Sequence, residues 1–255
     1  MGLNSGLVLT TGADNTLIGV SSGASLTTGT LNVAVGRNAL SSGATTNKNV
    51  AIGNNTLQSV SASSNVDSFN TAVGFSAGGA VTTGTENTLI GGLSGDAITT
   101  GIRNVAVGSY ALSTNQQGDQ CVAVGHGALF TQNPSGNADM NNTAVGFNAG
   151  QAVTTGANNT IIGASAGIAL TSGTNNNLIG GLAGDALTTG TSNNIMGVSC
   201  GTALTDADYN VAIGQQALNS DTLGSTTVAI GSFALSAQNF TTATNSNNTA
   251  VGYAA

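Results

Sequence analysis

Charge is scarce in this sequence: only 5% of its 255 residues are Asp, Glu, Lys or Arg. Three basic residues, Arg37, Lys48 and Arg103, stand against ten acidic ones, for a net charge of −7. Neutralising a phosphate backbone takes clustered Lys and Arg, so the balance excludes nucleic-acid binding and docking on anionic lipid. No apolar run approaches the about 20 residues of a membrane-spanning helix, so no membrane insertion is expected, and the first residues do not read as a signal peptide. Two cysteines, Cys121 and Cys200, are too few for a disulfide framework. Trp is absent and Pro134 is the single proline. With many Val and Ile in place of proline, the chain does not have the composition of a disordered one. So little charge is tolerable if the backbone is paired throughout and Ser, Thr and Asn cover the surface.

What the chain has instead is glycine, 38 residues of it, and the spacing of those glycines is the main signal. A strand-like phrase closes on a glycine at Gly19, Gly36, Gly53, Gly74, Gly91, Gly108, Gly125, Gly146, Gly163, Gly180, Gly197, Gly214, Gly231 and Gly252. Counting from Gly2, eleven steps are 17 residues and three are 21: Gly53 to Gly74, Gly125 to Gly146, and Gly231 to Gly252. The repeat is the whole chain. A 17-residue unit with one short strand cannot bury a core alone, but stacked copies can. The period predicts an all-β fold, a parallel β-solenoid (β-roll) with one coil per repeat, as a single repeat domain over 1–255. The long coils are expected to bulge from one edge near 59–69, 130–141 and 237–247. Gly2 to Gly6 is already in register and the chain stops three residues after Gly252. Neither end reads as a cap, so the expectation is a segment of a longer fibre.

Four residues before the glycine stands Asn in twelve of the fourteen coils, with Cys121 and Thr227 as the exceptions. Stacked amides at strand spacing hydrogen-bond along the stack, so this column is expected to be a structural ladder. One and two residues before the glycine, every residue is apolar. Neighbouring strand residues point to opposite faces, and a strand apolar on both faces is expected to be covered on both. One cover is the solenoid core. The other is expected to be a second copy, with Leu17, Leu89, Ile161, Leu178 and Ile195 at the oligomer interface.

Coils come in two types. Where the residue three before the glycine is Val (Val33, Val50, Val105, Val122, Val211, Val228), Leu stands four after it, from Leu40 to Leu235. Where it is Thr or Asn, a glycine stands there instead, and an aliphatic follows three residues later (Leu26, Val81, Ile98, Val153, Leu170, Leu187, Leu204). The large side chain is thus expected from one of two corners, as dense packing requires.

The phrases "NVAVG" at Asn32–Gly36, "NVAIG" at Asn49–Gly53 and Asn210–Gly214, and "TVAIG" at Thr227–Gly231 resemble the head repeats of trimeric autotransporter adhesins. Similar glycine-, threonine- and asparagine-rich repeats occur in bacteriophage tail fibres. The resemblance covers the whole chain. It implies a left-handed roll, three chains side by side, an extracellular place on a cell or virion, and attachment to a surface glycan or protein receptor.

Residues for catalysis are few. Asp96 and Asp185 occupy equivalent places five coils apart, on the order of 24 Å at strand spacing, too far for paired-carboxylate hydrolysis at roughly 5–9.5 Å. Asp206, Asp208 and Asp221 are the only acidic cluster and read as a solvated turn; His126 has no nucleophile in view. No cofactor, metal site or enzyme activity is expected. Aromatics on the long coils, Phe69, Phe130 and Phe240, are the candidate receptor contacts, against the simpler reading that they pack under the bulges. The function expected is a structural and adhesive fibre segment. The alternatives are an ice-binding solenoid using Thr ladders and a glycan-cleaving tailspike using Asp206 and Asp208.

Overall fold

A computed structural model describes residues 2–61 and 66–255. Residues 62–65, within the first expected bulge, lie outside the described residues. The protein is all-β, with no helix among the described residues, and is a parallel β-solenoid with one three-residue strand per repeat. It divides into two compact units, one of 1–126 with 133–139 and the other of 127–132 with 140–255.

Each unit carries seven three-residue strands. Those of the first are Thr16–Ile18, Val33–Val35, Val50–Ile52, Thr71–Val73, Thr88–Ile90, Val105–Val107 and Val122–Val124. Those of the second are Thr143–Val145, Thr160–Ile162, Asn177–Ile179, Asn194–Met196, Val211–Ile213, Val228–Ile230 and Thr249–Val251. Pairing within each unit is parallel and position for position, as in Leu17 with Ala34 and Ile161 with Leu178. The register leaves equivalent residues stacked in straight columns.

The repeat glycine lets the coils sit this close. Gly163 has φ +137°, a region L side chains rarely adopt, and a Cβ there would lie 2.4 Å from the Gly180 carbonyl oxygen of the next coil. The chain then turns through left-handed residues two and four positions on. In six of the coils that second residue is Leu, with φ between +46° and +52°. A left-handed Leu costs about 1–2 kcal/mol, and burying it returns about 1.5–3 kcal/mol. Burial wins: Leu40, Leu57, Leu112, Leu129 and Leu218 are all wholly buried.

The two-corner exchange is present. Leu26, Val81, Ile98, Val153, Leu170, Leu187 and Leu204 fill the interior in the coils that carry glycine at the left-handed corner. The structure adds a third partner to the exchange. The strand-middle residue points inward, as Leu or Ile opposite most corner glycines (Leu89, Ile161, Leu178, Ile195; Ala72 and Ala144 are the exceptions) and as Ala opposite a corner Leu. A Cβ on Gly184 would lie 3.0 Å from Leu178 Cδ2, so the space that the corner gives up is space the strand fills.

This overturns the expected interface. Leu89, Ile161, Leu178 and Ile195 have no exposed surface, and Leu17 is half-buried. Those four belong to the core of their own chain and have nothing left to offer another, and Leu17 points the same way.

The 21-residue coils gain an extra short strand, which pairs with the preceding coil in parallel. Val66–Asp67 pairs with Thr46–Asn47, Ala138–Asp139 with Gly118–Asp119, and Thr244–Asn245 with Gly224–Ser225. The second and third insertions fold back over their neighbours: Asn133 Oδ1 accepts from the Gln116 N–H, and Asn239 Oδ1 from the Thr222 hydroxyl.

Candidate interaction surface

The Asn column is the spine beneath the surface. Each amide oxygen accepts from the backbone N–H of the next Asn, as in Asn176 to Asn159 and Asn193 to Asn176, both 3.0 Å. Most of the amide NH2 groups donate to a carbonyl of the following coil, as from Asn159 to Gly173 (2.9 Å) and Asn176 to Gly190 (2.8 Å), while that of Asn49 turns to the Asn47 carbonyl and that of Asn248 to Gln238. Cys121 and Thr227 keep the backbone half of the pattern, donating N–H to Asn104 and Asn210. Every amide in the run is thus satisfied although buried, which is what makes burial tolerable. The column is structural and contributes nothing to the outside.

The outside of the strands is a different surface. In each three-residue strand the middle side chain turns in, and the two flanking ones turn out. The row just before the glycine is Val or Ile in every coil except for Met196, and Ile18, Ile52, Ile90, Ile162 and Ile213 are among its exposed members. The row at the other strand end is Val, Thr or Asn. Neither row holds a charged residue. Val20, Phe75, Phe147 and Val198, one residue past the glycine, extend the apolar surface, all more than 40% exposed.

Sequence reasoning found that the strand had two apolar sides but chose the wrong one as the outside. A signal was available: the strand-middle residue changes size with coil type, as a core residue must, whereas the residue before the glycine does not.

The expected contact aromatics are dispersed. Phe69 is 51% exposed, with the Lys48 ammonium 4.9 Å from its ring centroid and that ammonium paired to Asp67 at 2.7 Å. Phe130 and Phe240 are half-buried and lie six coils apart in the second unit, roughly 30 Å at strand spacing, so they form no single site. The Phe240 backbone N–H donates to Asp221, and its carbonyl receives the Thr222 hydroxyl.

The acidic cluster separates too. Asp206 and Asp208 accept from the Thr189 and Thr191 hydroxyls of the preceding coil. Asp221 is wholly buried, taking the N–H groups of Gly224 and Phe240 and the Gln238 amide. Asn115 holds Gly118 in the same way, so Asp221 is a turn residue. Asp96 accepts from the Ser113 hydroxyl. His126 is exposed, its ring edge-on to Tyr110 at 5.8 Å.

Burial raises the carboxyl pKa of Asp119, with the nearby Asp139 adding to the effect, and burial also raises that of Asp185. The Lys48 ammonium lowers that of exposed Asp67. Burial pushes the Cys200 thiol up to about 12, and Cys121 is buried as well. Among the described residues there is no pocket and no group of three or more His, Cys, Asp or Glu able to hold a metal ion.

The Thr–Thr–Gly column spends its first hydroxyl internally. Thr154, Thr171, Thr188 and Thr205 each donate to the carbonyl of the equivalent residue one coil on. Those donors are therefore not free for water or ice.

Comparison with protein-family models, with curated proteins and with solved structures finds no match.

Proposed function

We propose that the chain is a structural and adhesive segment of an extracellular fibre, a homotrimer that presents a repeated surface to a glycan or protein receptor. One observation carries this reading: parallel strands in register expose two uncharged, largely apolar rows that nothing among the described residues covers. Soluble monomers rarely leave a continuous apolar surface open. Full burial of an Ile is worth about 1.5–3 kcal/mol at about 25 cal/mol per Å2, so a half-exposed side chain has roughly 30–60 Å2 to give. Two outward side chains on each of a unit's seven strands then offer on the order of 500 Å2, a large part of the about 800 Å2 per partner in a standard interface. A surface repeating with every coil is best matched by another with the same repeat, which favours copies of this chain. Three copies would multiply whatever receptor contact one copy makes, so binding would rest on multivalent contact and not on chemistry.

Light scattering tests the reading. The wild-type chain should run at three times its own mass. Ile90→Lys with Ile162→Lys, both on the outward row, should give monomers with an unchanged far-ultraviolet spectrum. A monomeric wild-type chain would refute the proposal.

A further inference from the structure

The outward row at the start of each strand varies in a way the core does not explain. It is Val in every coil with a corner Leu, and Thr or Asn in every coil with a corner Gly. These two positions lie on opposite sides of the sheet wall: Val105 is half-exposed outside, and Leu112 is wholly buried inside. The strand-middle residue, which does face the core, follows coil type less closely. Ala72 and Ala144 are small although their coils carry corner glycines, and Thr71 and Thr143 still stand outside them. The size of the core-facing strand residue therefore does not account for the outward one.

We infer that the outward Val/Thr pattern is a recognition code, by which the chain selects a second copy of itself in matching coil register. The inference rests on the homo-oligomer reading above. Along the first unit the row reads Thr, Val, Val, Thr, Thr, Val, Val from Thr16 to Val122. A shift of two coils sets Val against Thr at every level of that unit. A Thr hydroxyl held against a Val methyl has lost water and gained no partner, whereas Thr meeting Thr can pair and Val meeting Val buries apolar surface. In the second unit the Asn177 and Asn194 pair breaks the four-coil period, so a shift of four coils is mismatched as well.

The test is a pattern-shifted variant of unchanged composition: Thr71→Val and Thr88→Val with Val105→Thr and Val122→Thr. It is unfolded and refolded alone, and again with an equal amount of tagged wild type, and the species are counted by native mass spectrometry. The variant should assemble with itself, while mixed oligomers fall at least ten-fold below their statistical share. Mixed oligomers at the statistical share would overturn the code and leave the homo-oligomer reading standing. A monomeric wild type would overturn both, and a folded variant unable to assemble with itself would overturn the code. A second measurement needs no change to the row. Spin labels at Asn141→Cys and Asn175→Cys occupy exposed sites two coils apart in one column of the second unit, with both native thiols buried. Copies in register bring like-numbered labels closer than the mixed pair, 141 on one copy and 175 on another; a mixed pair closer than the like pairs would overturn the inference.

Discussion

Single residues carry two kinds of constraint here, steric at the repeat glycine and electrostatic at a few carboxylates. Gly163→Ala places a methyl 2.4 Å from the Gly180 carbonyl oxygen at φ +137°. It should cost about 3 kcal/mol or more in urea unfolding. Gly136→Ala, with open space around it, should change the midpoint by less than about 0.5 kcal/mol. Asp119 offers the electrostatic counterpart. Its pKa is raised in the fold, so the fold prefers the protonated form. Its contribution to stability is greatest below the ordinary carboxylate range and is lost as pH rises through the elevated folded value. Asn47 receives the Thr30 N–H in the equivalent place, as Asp119 receives that of Ile102, so an amide fits. Asp119→Asn should therefore raise the urea midpoint at pH 7, with the gain over wild type shrinking as pH falls toward about 3. Asp67 runs the other way: its Lys48-assisted ionisation is lost as acid protonates it.

The coil is the scale at which the sequence was most readable. Gly19 to Gly252 marked every coil, and the Asn column was legible as a ladder because its spacing equals the repeat. Both delivery corners could be read as well, since Leu112 and Ile98 occupy alternative places in neighbouring coils. The outward side was not legible. In a three-residue strand such as Thr88–Ile90, alternation gives no majority, and Leu89 and Ile90 are equally apolar. Only the corner, Gly95, tells them apart, because its missing side chain leaves room for Leu89. Nor could spacing show that Asp221 turns inward while Asp206 stays exposed. Two predictions belong at this scale. Asn176→Ala strips the Asn193 N–H and amide of their acceptor and the Gly190 carbonyl of its donor. Leaving buried polar groups unpaired costs about 1–3 kcal/mol each, so thermal unfolding should show a loss in that range or above. In the exchange between strand and corner, Leu178→Ala should cost about 2–5 kcal/mol. Gly184→Leu should also destabilise, yet a double-mutant cycle should return about 1–3 kcal/mol of favourable coupling.

For the whole molecule, the two units repeat one plan: a core whose polar column is internally satisfied and an outward face that is apolar and uncharged. Both cysteines sit inside that plan, Cys200 donating to the Ala212 carbonyl and Cys121 to that of Asp119. A thiolate-selective reagent at pH 8 should therefore find no reactive thiol in the folded protein and two after denaturation, because the thiolate is the reacting form. A native thiol reacting at the rate of the unfolded chain would contradict the packing described.

The direction of the hydrogen bonds has a mechanical consequence. Within each unit, the backbone bonds of a strand run to the coils on either side of it. Tension applied across a unit's ends would thus meet the bonds of one coil at a time and peel the solenoid as a zipper opens, instead of shearing many bonds at once. A pulled chain should lengthen in nearly equal increments, about 60 Å for each 17-residue coil and about 75 Å for each of 21.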